Sequence, residues 1–179
     1  MNVRASIDKV VEINPQADLI LMVSSDIPAI TTQMVDWVID TALETEDDMY
    51  YNLITKDVME TRYPGSNRSF VKLKGVEVCG GDMNVVRASA AAGNDELWDR
   101  LISARKNAFK QAALFGFGTL FLLLTRQLSI EDAAPRASKQ LGIRGRAIIC
   151  PYAEVAMDVD KPHQFEIIRD DLEKQVRAA

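Results

Sequence analysis

Hydrophobic and polar positions along this chain fall into blocks whose period changes from one block to the next. Val3, Ile7, Val10 and Val11 recur at helical spacing over residues 2–13, and Asn14 and Pro15 then break the pattern, which predicts a first helix. The segment Asp18 to Val23 is dominated by consecutive apolar residues rather than alternating ones. That pattern belongs to a central strand covered by helices on both faces, so parallel pairing is expected. After "SSDIPA", Thr31 is placed to cap a helix through its side-chain oxygen, with Ile30 and Val35 placed to staple the entry, and the helix should run to about Thr45.

Met49 to Thr55 reads as a further strand, and "KDVMETRYPGSNR" as a polar connector holding Gly65, the first glycine of the chain. "SFVKLKGVEVCGGDMNVVR" reads as a hairpin or meander that turns near Lys74 and Gly75 and breaks again at Gly80 and Gly81. Residues 95–141 carry a helical pattern with breaks near Gly116 and Gly118, a cap at Ser129 and Pro135 in the last segment, which suggests a helical insertion. "RAIICPYAEVAMDVD" is strand-like, and "KPHQFEIIRDDLEKQV" predicts a closing helix with Phe165, Ile168 and Leu172 on one face. The fold expected is α/β, with a mostly parallel, mixed sheet.

Composition narrows the function classes. A length of 179 residues fits one domain with a substantial core, burying roughly 70% of the surface its unfolded chain exposes. A net charge of -5 disfavours nucleic-acid binding through a basic face and leaves small ligands or proteins as partners. Cys79 and Cys150 lie far apart with a single His163, so neither a zinc site nor a disulfide framework is indicated, and a cytoplasmic protein is expected. The longest apolar run, Ala112 to Leu124, falls short of the roughly 20 residues that span a bilayer, so no membrane partner is expected. Its Phe115 to Leu124 stripe fits core packing or an interface in a homo-oligomer.

Three segments, "VSSDIPAIT", "VCGGDMNVVR" and "AEVAMDVDKPHQFEIIRDDL", together resemble the MobA-like NTP-transferase family of nucleotidyltransferases, within the nucleotide-diphospho-sugar transferase superfamily. The resemblance covers nearly the whole chain, 1–179, as a partial domain, and implies a three-layer sandwich. It also implies transfer of an NMP unit from an NTP to a phosphorylated small-molecule acceptor, with Mg²⁺ (or Mn²⁺) and release of pyrophosphate. In that family the aspartate of the D-x-P element binds the metal, which makes Asp26 a catalytic metal ligand by resemblance; read alone, it is an Asx-turn residue. Asp160 becomes the second ligand and Asp158 a further candidate. Both would project to one side if "MDVD" is extended, although Asp160 also suits a helix N-cap. The family usually continues Thr-Pro-Glu-Asp where this chain has Lys161, Pro162, His163 and Gln164.

"CGGDMN" matches a segment in which paired glycines let the backbone approach substrate, so Gly80, Gly81 and Asn84 are contact candidates; a β-bulge explains the glycines as well. Arg68 and Lys72, with Arg62 and Lys74, surround "YPGSNR" and could neutralise an acceptor phosphate or form a solvated basic loop. The family domain opens with a glycine-rich loop that holds the triphosphate, and no such loop precedes Gly65 here. The expectation is therefore an N-terminally truncated domain that by itself releases no pyrophosphate. A non-catalytic remnant or interaction domain that keeps the fold is the alternative.

Overall fold

The computed structural model describes residues 3–92 and 116–178. In chain order the elements are α1 (Val3–Ile13), β1 (Leu19–Val23), α2 (Thr32–Leu43), β2 (Met49–Thr55), α3 (Lys56–Arg62), β3 (Val71–Leu73), β4 (Val76–Gly80), β5 (Met83–Arg87) and α4 (Ala88–Ala91). Then come α5 (Phe117–Leu124), α6 (Ile130–Leu141), β6 (Gly145–Ile149), a 3₁₀ turn (Ala153–Ala156) and α7 (Pro162–Ala178). No helix among the described residues is long and apolar enough to cross a membrane.

The six strands form one sheet in the order β1-β5-β2-β4-β3, with β6 added beside β2. The expected mostly parallel sheet is overturned: β1–β5, β2–β5, β2–β4 and β3–β4 are all antiparallel, and only β2–β6 is parallel. Nor is β1 central, since among the described residues it pairs with β5 alone. The apolar run reports burial and carries no information about the direction of its partner. Leu19 and Leu21 pack into one core with α2, while Ile20 and Met22 meet Ile7 of α1 and Ala91 of α4 on the opposite face. Two covered faces require consecutive apolar residues whichever way the neighbouring strand runs.

The main core lies between the sheet and α2, α3 and α7, around Tyr50, Ile54, Met59, Met83, Met157 and Ile168. A third cluster joins Leu73 and Val78 of the β3–β4 hairpin to Leu128, with Leu122, Leu123 and Ile130 packed against it. Three local expectations are also corrected. "KDVMETR" is the helix α3 rather than a connector: the Thr55 hydroxyl accepts from the Val58 amide (3.3 Å), and Met59 is fully buried. At two turns its period was too short to register. "AEVA" is a 3₁₀ turn, and the strand before it ends at Ile149, so Asp158 and Asp160 follow a turn rather than a strand. Thr31 caps α2 in extended geometry but makes no side-chain cap bond. Of the expected helical stretch 95–141, α5 and α6 are helical, with Gly116 (φ 79°) before the first and Pro135 inside the second. Residues 95–115 lie outside the described residues.

Candidate functional site

The register of β1 on β5 ends with Val23 opposite Met83, which sets Ser24 beside Asp82. The Ser24 amide donates to the Asp82 carbonyl (2.9 Å), the Asp82 amide to the Val155 carbonyl (2.8 Å), and the Val159 amide to the Asp26 carbonyl (3.0 Å). These backbone bonds lace together three segments far apart in sequence: the "SSDIPAI" turn, the β4–β5 connection and the approach to α7. Ile27 and Ala29, both buried, anchor the turn in the core. At the start of α7 the Gln164 side-chain oxygen accepts from the amides of Asp160 and Lys161 (3.2 and 2.9 Å), which fixes how that segment enters the helix.

Four aspartates and one arginine meet at this junction. Arg68 donates to the Asp158 carboxylate and stands 3.7 Å from that of Asp82. Burial pushes the Asp82 carboxyl above the usual aspartate range, the Arg68 guanidinium opposes the shift, and the negative charges of Asp26 and Asp160 add to it. That repulsion places both Asp26 and Asp160 within electrostatic reach of Asp82. One oxygen of Asp26 and one of Asp82 are buried without a hydrogen-bond partner. The Asp82 oxygen already faces the Arg68 guanidinium at 3.7 Å, whereas the Asp26 oxygen lacks such a partner. A buried carboxylate oxygen left unpaired costs free energy, and a cation is the partner its chemistry suits. Among the described residues no three His, Cys, Asp or Glu side chains stand close enough to hold an ion by themselves. Mg²⁺ commonly takes one or two carboxylates and completes its shell with water and phosphate oxygens, so the Asp26 oxygen and its neighbours fit such an ion.

The other sequence candidates are placed differently. The space a side chain at Gly80 would take is filled by the Tyr51 ring and hydroxyl, and the space at Gly81 by Ile54, Val155 and Asn52. Both glycines therefore admit the protein's own side chains. Asn84 accepts from the Asn52 amide (2.9 Å) and donates to the Gly81 carbonyl (2.9 Å), so its amide holds the bend of the β4–β5 connection. Lys72 lies on the β3–β4 hairpin, where Glu77 takes both it (3.2 Å) and Lys56 (2.9 Å). Arg68 alone of the two basic candidates enters the acidic junction.

Two residues at the junction escaped the sequence reading. Asp82 was visible only as part of "CGGDMN", because nothing short of the β1–β5 register places it beside Asp26. Tyr51 stands over Gly80, and its phenol is raised above the usual tyrosine range by burial and then by the charge of Asp82.

No protein-family model matches the chain, and no curated protein does. Among solved structures, a hypothetical transferase from Thermus thermophilus is similar to this chain at 29% identity and a TM-score of 0.80, over 89% of this chain and 68% of that one. With the acidic junction in view, the chain is seen to share a transferase-like fold.

Proposed function

We propose that this protein is of the MobA-like nucleotidyltransferase kind, whose reaction moves an NMP unit from an NTP to a phosphorylated small-molecule acceptor with Mg²⁺ and release of pyrophosphate. With no glycine before Gly65 to form a triphosphate loop, this chain keeps the metal-binding junction but by itself releases no pyrophosphate. The observation that carries this reading is the buried, unpartnered carboxylate oxygen of Asp26, set beside Asp82 and Asp160 where three segments converge. The likeness to a transferase of Thermus thermophilus supports the general class, and the motif resemblance supplies the specific reaction.

In this reading Asp26 and Asp160 hold the metal, with Asp82 next to them. Bound there, Mg²⁺ neutralises phosphate charge as an electrophile. Arg68 keeps Asp158 and Asp82 from adding unscreened repulsion to the cluster, and its planar guanidinium suits a phosphate oxygen. Gly81, Asn84 and Asn52 fix the backbone that carries Asp82, a positioning task. The Tyr51 hydroxyl borders the same space and stays protonated at neutral pH, so it is available as a donor.

Mn²⁺ titration followed by electron paramagnetic resonance tests the site without requiring turnover. Wild type should bind weakly and Asp26→Asn should not, with the melting temperature of the variant unchanged or slightly raised because a repelling charge is gone. Equal Mn²⁺ affinity in the two proteins would reduce Asp26 to a turn residue. The chain alone should release no pyrophosphate from an NTP, and release that is lost in Asp26→Asn would show that the glycine-rich loop is not required.

A further inference from the structure

The longest helix among the described residues, α7, has an uncovered side. In α7, Ile168 is buried in the main core and Leu172 packs against it, but Phe165 is 52% exposed and Val176 78% exposed. Phe165, Leu172 and Val176 line one wall of an open groove of about 650 Å³, whose other wall is the Ser25–Pro28 turn and Val159. An amphipathic helix that serves only its own core has no use for large apolar side chains there, so the stripe is wider than the fold requires.

Charges beside the stripe indicate what covers it. Glu166, Arg169, Glu173 and Arg177 follow one another at spacings of three and four, alternating in sign, and pair along the helix: Arg169 with Glu166 and Glu173 as well as with the adjacent Asp170, and Arg177 with Glu173. A row that reads negative, positive, negative, positive reads with opposite signs from its other end. Two copies laid antiparallel about a two-fold axis therefore set each charge opposite its complement, as an isologous contact demands. With the axis near Asp171, Arg169 of each copy faces Glu173 of the other, the two Leu172 side chains meet close to the axis, and Phe165 lies against Val176 and the stem of Arg177. A parallel arrangement would set like charges together.

We propose that α7 is a homodimer interface, in which the apolar groove beside the Asp26 turn is closed by the same helix of a second copy packed antiparallel. Asp26 itself lies on the turn that lines the groove, but the proposal rests on the apolar stripe and charge row of α7 and assigns that carboxylate no role, so it stands or falls apart from the nucleotidyltransferase reading.

Sedimentation equilibrium at micromolar concentration, with melting curves alongside, tests it. Wild type should be dimeric and Val176→Glu monomeric, and the change should leave the fold intact because the side chain is exposed. Arg169→Glu should weaken dimerisation roughly three- to tenfold, and adding Glu173→Arg should restore it, as expected of rim ion pairs. Orientation is read by oxidising single-cysteine chains: Phe165→Cys mixed with Val176→Cys should form a mixed disulfide dimer, whereas Val176→Cys alone should not cross-link. A monomeric wild type would overturn the proposal, as a groove left for a different partner predicts. So would a Val176→Glu protein that stays dimeric, or efficient cross-linking of Val176→Cys to itself.

Discussion

Arg62, the last residue of α3, ties three elements together, and its removal should be the most damaging single change outside the apolar core. Its Nε donates to Glu154 in the 3₁₀ turn (2.7 Å), and its two terminal nitrogens donate to the two carboxylate oxygens of Asp171 in α7 (2.8 and 2.6 Å). The Glu154 side chain is only 8% exposed, so Arg62→Met, which keeps most of the aliphatic stem, leaves a buried carboxylate without its cation. Breaking a buried pair costs about 3–5 kcal/mol. Because the arginine side chain is 37% exposed, water and ions repair part of the loss, and about 2–3 kcal/mol is the expected effect. In a domain of this size that corresponds to a melting temperature lower by about 5–10 °C.

The pH dependence follows from Asp171, whose carboxyl Arg62 holds below the usual aspartate range against the opposing effect of burial. A depressed folded pKa contributes stability above the unfolded value of about 3.9, and that stability is lost as pH falls through the lower folded value. The gap between wild type and Arg62→Met should thus be full at pH 7 and narrow below about pH 4. A second substitution fixes the cause. If the damage comes from stranding Glu154, then Glu154→Gln added to Arg62→Met should recover part of the loss, although removing a partner usually adds to it. Melts that place Arg62→Met within about 0.5 kcal/mol of wild type at pH 7, or a double variant weaker than the single, would refute this account.

Two further expectations separate the paired glycines and test the thiols. Gly81→Ala sets a methyl 3.1 Å from Ile54 and Val155 and 3.2 Å from the Asn52 Cβ, all core atoms, and should lower stability by about 1–3 kcal/mol in urea titrations; Gly80→Ala meets only the swinging end of Tyr51 and should cost less than about 1 kcal/mol. Burial pushes the Cys150 thiol up to about 11 and raises Cys79 as well, so neither should react with Ellman's reagent in the native protein at pH 8, and one rapidly titrating equivalent would contradict the buried placement.

Elements with a long or strong pattern were legible in the sequence: α1, β1, α2, β2, the β3–β4 hairpin and α7 lie within a residue or two of where periodicity and breakers put them. What the pattern could not convey was pairing. Burial of both faces of β1 is written into "LILMV", but the antiparallel insertion of β5 between β1 and β2 depends on contacts across the whole domain. The site divides the same way. Asp26 was marked by its local company of strand, proline and helix, and Arg68 by its loop, whereas Asp82 became visible only through register. Gly80, Gly81 and Asn84 were found by composition, which cannot tell whether a glycine admits a ligand or, as here, a neighbouring tyrosine.

The lacing of residues 24–26, 82 and 155–159 also dictates when the acidic junction can exist. During synthesis, β1 and its aspartate turn leave the ribosome more than a hundred residues ahead of Val159, whose amide closes on Asp26. Contacts so distant in sequence form late, because loop closure opposes them until the rest of the sheet is in place. Until then "LILMV" is an uncovered apolar strand, the kind of segment on which chaperones act and from which aggregation starts. An ion bound at the completed junction would favour only the finished fold, by mass action, so a divalent cation in refolding buffer should raise the yield of native protein without hastening its early steps.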